Sequence, residues 1–223
     1  MQNYKEKKFK GIIFDFNGTL LWDTQLHNHA WDIFLEKYNI RLSNNDKNNV
    51  IHGKTNEEIL KIIFNNTLTK KEMFNLSEEK EALYRKLFRD TNPELAEGAV
   101  ELFQFCISNN IKTAIATSSC KSNVDFYIKR YNLLNWFKPE FIVYDDGTLK
   151  SKPDPGIYLH TINKMELDKK DIIIFEDSVS GINAALNSKA GKVIIVNSGK
   201  NNFNIRSCER INSFTEFNYK NLT

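Results

Sequence analysis

Residues Ile12–Leu20 read IIFDFNGTL: three apolar residues lead to one carboxylate, Asp15, and the chain then turns at Asn17-Gly18. The apolar run predicts a buried strand with Asp15 at its tip, and Asn-Gly predicts the turn that leaves the sheet. Beyond the turn the pattern becomes helical as far as Pro93. Leu26, Ala30, Ile33, Phe34 and Tyr38 recur at helical spacing. Thr55 with Glu58, and Thr69 with Glu72, are spaced as capping boxes that open further helices. The segment SEEKEALYRKLFR starts acidic and ends basic, as a helix dipole favours, and Thr91-Asn92-Pro93 closes the region.

From there helix and strand alternate. GAVELFQFCISNN precedes IKTAIATSS, NVDFYIKRYN precedes FIVYDD, PGIYLHTINKM precedes DIIIFED, and GINAALNSKA precedes KVIIVNS. The strands are short continuous apolar runs, as expected where helices cover both faces. Such alternation predicts an α/β fold with a doubly wound parallel sheet. Ligands of such sheets bind beyond the carboxyl ends of the strands. Asp15, Thr117, Asp145, Asp146, Glu176 and Asp177 all fall at predicted strand ends, so they are expected to meet at one rim.

The 223 residues are 41% apolar and 26% charged, ordinary for a soluble globular chain. A net charge of +3 is too small to argue for nucleic acid, and the lysines of KEKKFK (Lys5–Lys10) read as a solvated face. The opening residues lack the apolar core of a signal peptide, and no apolar run approaches the ~20 residues of a membrane span. Cys106, Cys120 and Cys208 are odd in number and widely spaced, which reads as reduced thiols in a cytoplasmic protein.

Four elements then stand in order: Asp15-Phe16-Asn17-Gly18-Thr19, Thr117-Ser118-Ser119, Lys152-Pro153-Asp154-Pro155 and Glu176-Asp177-Ser178. Together they resemble the four motifs of the haloacid dehalogenase superfamily, especially its phosphatases and β-phosphoglucomutase-like members. The resemblance spans nearly the whole chain. It implies a Rossmann-like core formed by residues 1–22 and 93–223, with a small all-helical cap, residues 23–92, inserted after the first strand.

The resemblance also assigns roles. Asp15 would be the nucleophile that takes the phosphoryl group, and Asp15, Asp177 and the backbone carbonyl of residue 17 would hold Mg²⁺, a hard cation suited to oxygen ligands. Glu176 would orient a metal-bound water or, alternatively, cap a helix. Thr117 and the Ser118 backbone N–H would bind a phosphoryl oxygen, and Lys152 would balance the shared negative charge. Asp154 reads as the cap of the helix that follows it. In the cap, His27 and Trp31 align with substrate-side positions, Trp31 being equally readable as core. Lys54, in Gly53-Lys54-Thr55, is either a ligand contact or a solvated lysine. Asn56 stands where a mutase places a phosphate-binding Arg and a phosphonate hydrolase its lysine. His29 is expected to point away; His52 and His160 receive no role.

Asn17 departs from the pattern, because phosphatases and mutases of the family carry there an Asp that acts as general acid and base. An amide keeps the backbone carbonyl and loses the proton transfer, which typically contributes ~10²–10⁴ in rate. Three readings stay open: a substrate with a good leaving group or its own proton donor, with His27 taking over part of the transfer; a weak or inactive phosphometabolite binder; or an introduced substitution in a β-phosphoglucomutase-like mutase. The expectation is a cytoplasmic, Mg²⁺-dependent phosphatase-like hydrolase, favoured as a monomer, acting on a small phosphorylated metabolite.

Overall fold

In the computed structural model, which describes residues 9–198, 208–219 and 222, the opening strand β1 (Gly11–Phe14) lies in the middle of a parallel sheet. The chain continues through α1 (Thr24–Glu36), α2 (Asn44–Val50), α3 (Asn56–Ile63), α4 (Lys70–Thr91) and α5 (Ala99–Ser108). It then runs β2 (Lys112–Cys120), α6 (Lys121–Tyr131), β3 (Ile142–Asp145), α7 (Gly156–Met165), β4 (Ile172–Glu176), α8 (Val179–Asn187), β5 (Lys192–Val196) and β6 (Glu209–Ile211). The strand order is β3-β2-β1-β4-β5-β6, with every pair parallel. The order reverses at β1, so a crevice opens between the carboxyl ends of β1 and β4.

Side chains alternate across a strand, so one strand feeds two cores. Ile12 and Phe14 face a layer with α5 and α6, whereas Ile13 faces α7 and α8. Phe14 stacks on Phe175 at 5.3 Å and meets the edge of Phe103 at 5.4 Å. Burying such a ring contributes roughly 1.5–3 kcal/mol, which fixes the register that carries Asp15 to the rim. The strand ladder continues one bond further, with the Asp15 N–H donating to the Phe175 carbonyl at 3.0 Å.

The helices between Thr24 and Thr91 hold an apolar cluster of their own around Trp31, Phe34, Ile51, Ile59, Leu60 and Met73. Ala30, Tyr84 and Phe88 instead pack onto the sheet-side core. Two local readings change. Residues 70–91 form one continuous helix, opened by the Thr69–Glu72 capping box, so SEEKEALYRKLFR is its second half. Thr55 caps α3 only halfway: its hydroxyl accepts from the Glu58 amide at 3.3 Å, but its own N–H donates to Ser151 Oγ across to the sheet side at 3.2 Å. The helix α2 and the edge strand β6 had no counterpart in the sequence reading.

No helix among the described residues is long and apolar enough to cross a membrane, and the three cysteines are free. Lys5, Lys7 and Lys8 lie outside the described residues; Lys10 pairs with Asp171 at 2.8 Å.

Candidate active site

The crevice between β1 and β4 contains a buried charge cluster. Lys152, 1% exposed, donates to Asp15 Oδ1 and to Glu176 Oε1, both at 2.6 Å. Carboxylate oxygens of Asp15, Glu176 and Asp177 all lie within 4.8 Å of one another. Three acids thus face one ammonium, an excess of negative charge in a place with little water to screen it. The titration behaviour follows from that imbalance. Burial pushes Asp15 up to about 7 against the pull of Lys152, and Glu176 adds to the rise. Burial, then Glu176 and Asp15, raises Asp177 well above the carboxylate range. Burial by itself would lower Lys152, but Asp15 and Glu176 hold its ammonium above the ordinary lysine value.

Glu176 has both oxygens committed. Oε1 accepts from Lys152 and from the Tyr158 hydroxyl at 2.8 Å, and Oε2 accepts from the amides of Asp177 and Ser178 at 2.8 and 3.0 Å. Glu176 does not cap α8, whose N-cap is Ser178 with its Oγ accepting from the Gly181 amide at 3.0 Å; Glu176 instead joins the preceding turn to a grip on Lys152. Thr19 donates to Asp177 Oδ1 at 3.2 Å. The hydroxyl oxygen of Thr117, a buried residue, accepts from the Ser119 amide at 3.1 Å, which leaves its proton for an acceptor at the rim. Asp154 accepts from Gly156 at 2.8 Å and opens α7. Asp145 and Asp146 accept from Gly147 and Thr148 in their own turn and stand outside this cluster.

Above the cluster opens a cavity of about 100 Å³, floored by Asp15, Asn17, Thr117, Ser118 and Asp177 and walled by residues of α1, α3, α4 and the 51–54 loop. His27, Trp31 and Lys54 all line it. Trp31 is nonetheless 1% exposed and belongs to the helical cluster, so both of its readings are met in part. Lys54 is paired to Glu58 at 3.5 Å. The Ser118 hydroxyl donates to the Gly53 carbonyl at 3.1 Å, tying the floor to the wall. His29 is exposed, as expected.

His52, to which the sequence assigns no role, stands beside the site. It lines the cavity, bonds Asn28 at 2.9 Å, and burial first, then His27 and Lys47, lowers it to about 4. The sequence reading also missed Lys80 and Glu81, a pair at 2.8 Å and 1% and 3% exposed, both facing the cavity. Asn56 and Asn123 donate to Glu81 at 2.8 and 2.6 Å. Burial would raise Glu81, yet Lys80 holds it down to about 2. The signal was there: Met73, Lys80, Tyr84 and Phe88 share a helical stripe, and a charge on an apolar stripe needs a partner.

A parallel sheet with an acid after its first strand, a buried lysine and a second acid pair at one switch point defines the class: a doubly wound α/β protein with a buried carboxylate–ammonium cluster at the carboxyl ends of its strands. The chain matches the sequence profile of the haloacid dehalogenase-like hydrolases over residues 12–196 and belongs to that family. It is 30% identical over 185 residues to the β-phosphoglucomutase of Bacillus subtilis, covering 78% of each chain. It is 29% identical over 180 residues to a phosphorylated carbohydrates phosphatase of Thermotoga maritima, covering 79% of this chain and 80% of the relative. A crystal structure of a family IA, variant 3 hydrolase of this superfamily from Entamoeba histolytica superposes with a TM-score of 0.84 at 34% identity, over 95% of this chain and 96% of that one.

Proposed function

We propose that the protein is a Mg²⁺-dependent phosphohydrolase of the cytoplasm that cleaves a small phosphorylated sugar or a similar metabolite, with Asp15 as nucleophile. The observation that carries this reading is the Asp15–Lys152–Glu176 cluster beneath the cavity, with Asp15 and Asp177 lining its floor. The similarity to a carbohydrate phosphatase and a phosphoglucomutase supports the substrate class.

The residues fit a divalent cation. Three carboxylates against one ammonium leave a charge that a 2+ ion balances, and their hard oxygens suit Mg²⁺. Gly18 supports the same reading: a Cβ there would sit 2.0 Å from Asp177 Oδ2, so the chain keeps that carboxylate's flank clear. Asp15, Asp177 and the Asn17 backbone carbonyl would hold the ion. Bound there, it would neutralise and orient phosphoryl oxygens.

The chain's own residues do the rest. Asp15 attacks phosphorus and the bond to the leaving oxygen breaks, giving an acyl phosphate on Asp15 that water then hydrolyses. Lys152 offsets charge at the attacking carboxylate, Glu176 fixes Lys152, and Thr117 and the Ser118 N–H hold a phosphoryl oxygen. Residues 23–92 act as a lid that excludes water and carries substrate contacts at His27, Trp31, Lys54, Lys80 and Glu81. Asn17 has no proton to exchange, which favours substrates whose leaving oxygen needs little help.

A second reading, a non-catalytic phosphometabolite sensor, is favoured by the Asn17 side chain. Its amide is fully engaged by Asp23, Tyr127 and Ser119. Phosphate release from acetyl phosphate, p-nitrophenyl phosphate and a panel of sugar phosphates separates the two. Turnover that needs Mg²⁺, stops with EDTA and disappears in Asp15→Asn is expected. Phosphate binding without turnover would favour the sensor, and full activity in Asp15→Asn would remove the nucleophile.

A further inference from the structure

The wall of the cavity carries two ammoniums, Lys54 and Lys80, and each is answered by a carboxylate. Lys80 donates to Glu81 Oε1 at 2.8 Å, both side chains being buried, and Lys54 lies 3.5 Å from Glu58. His27 accepts from Lys80 on Nδ1 at 2.9 Å, since an ammonium can only donate, so that nitrogen carries no proton and the ring no charge. His52, lowered to about 4 by its burial, is neutral in the physiological range. Ile51, Ile59 and Trp31 line the same wall and carry no charge. Two positive and two negative groups leave the wall neutral.

Two further elements lock Glu81 beside Lys80. Its Oε1 also accepts from Asn56 of α3 at 2.8 Å, and its Oε2 accepts from Asn123 of α6 at 2.6 Å. Asn123 is 1% exposed and its Oδ1 accepts from Arg85 at 2.9 Å, which fixes its amide end toward Glu81. The rings of Trp31 and Tyr84, with centroids 5.1 and 5.6 Å from Lys80 Nζ, answer the ammonium further. The charge of Lys80 is thus spent inside the protein. One of its three N–H groups is left beyond the bonds to His27 and Glu81, a donor suited to a hydroxyl.

We propose that this wall selects a ligand whose far end is uncharged and hydroxyl-bearing: the monophosphate of a small polyol or neutral sugar, and neither a bisphosphate nor a phosphorylated carboxylic acid. The phosphate end of that ligand rests on the function proposed above; the neutral end rests on the wall. A second anion would enter a largely buried wall with no unspent ammonium to meet it, and it would stand beside the carboxylate of Glu81. Selection of this kind works by leaving the wrong ligand's charge unpaired.

Matched ligands test it. Glycerol 3-phosphate and 3-phosphoglycerate share a three-carbon skeleton and differ by a hydroxymethyl against a carboxylate; fructose 6-phosphate and fructose 1,6-bisphosphate differ by a second phosphate. With Mg²⁺ present, the neutral-ended member of each pair is expected to have a kcat/KM higher by at least about tenfold. Equal values, or a preference for the charged member, would overturn the proposal. Glu81→Gln leaves Lys80 without its counter-charge and is expected to bring the ratio toward one. Glu58→Gln, at a half-exposed position of α3, frees Lys54 and is expected to move the ratio the same way by less. A ratio unchanged in Glu81→Gln, or in Glu58→Gln should the first variant not fold, would overturn the wall's role. If wild type turns over none of the four, hydrolysis fails as a function and calorimetric dissociation constants of the same pairs decide the wall: tighter binding of the neutral members supports it, and equal or reversed affinities overturn it.

Discussion

Lys152 is the residue on which the floor of the cavity depends, because it is the ammonium that both Asp15 and Glu176 share. Removing one partner of a buried ionic cluster typically costs roughly 3–5 kcal/mol, since the charges left behind keep their burial and lose their counter-ion. Lys152→Met, similar in length, is expected to lose on that order in urea unfolding measured in EDTA, along with all turnover. Asp15 gives the pH dependence. Its pKa is raised from 3.8 to about 7, so the folded state holds the proton more tightly than the unfolded chain. The stability this brings is complete at low pH and is lost as pH rises through about 7. His52 acts in the opposite sense: lowered from 6.5 to about 4, it adds stability as pH climbs through that window and nothing beyond it. Metal-free protein should therefore weaken between pH 6.5 and 8, where Asp15 finishes ionising and Asp177 resists. Asp15→Asn should show a smaller loss over that interval, and an unchanged slope would argue against a strained carboxylate at 15. Asp15, Thr117, Glu176 and Asp177 were legible in the sequence because the apolar runs before them mark strands, and Lys152 because Pro153 and Pro155 set it in a loop before a helix. Asp23 was not, because its partners Asn17, His27 and Tyr84 lie in the turn after β1, on α1 and on α4, and only packing brings them together.

Between elements, the 51–55 loop is what joins the helical segment to the rim. Ser118 donates to the Gly53 carbonyl, Ser180 to the His52 carbonyl at 2.8 Å, and the Thr55 N–H to Ser151 at 3.2 Å. Gly53 makes the approach possible. Its φ is +77°, and a Cβ there would stand 2.2 Å from Ser180 Oγ and 2.5 Å from Ser178 Oγ. Gly53→Ala must push the loop off the sheet, and misplacing a wall of the site costs on the order of 10²-fold in kcat/KM. The urea midpoint should move little by comparison, and equal activity would show that this contact does not set closure. The same scale shows where sequence patterns run out. The strand β6 is three residues, Glu209–Ile211, with two of them exposed, so neither its length nor its hydrophobicity marks it. The helix α2 reads NNDKNNV and has almost no apolar stripe. It is held by a Ser43–Asp46 capping box and by Lys47 reaching Asp32 at 2.7 Å.

Across the whole molecule, the short continuous apolar strands and their alternation with helices made the sheet legible, and with it the rim where Asp15, Thr117, Lys152 and Asp177 gather. The wall of the cavity was less legible. Lys80, Glu81 and His52 come from segments that look like solvated surface until α1, α3 and α4 fold over the sheet and bury them. Floor and wall are built from opposite chemistry: excess negative charge below, a paired ammonium–carboxylate and imidazoles above. On the proposed function, a phosphorylated ligand brings its own anion, and a cation held at the floor would offset the acids that the protein's own charges leave under-neutralised. Whether Asp15 itself takes the phosphoryl group is read most directly by rapid-quench mass spectrometry after mixing with acetyl phosphate and Mg²⁺. A hydroxylamine-sensitive phosphoryl group on Asp15, absent in Asp15→Asn, is the expected result; steady phosphate release with the label on another residue, or with none on Asp15, would contradict it.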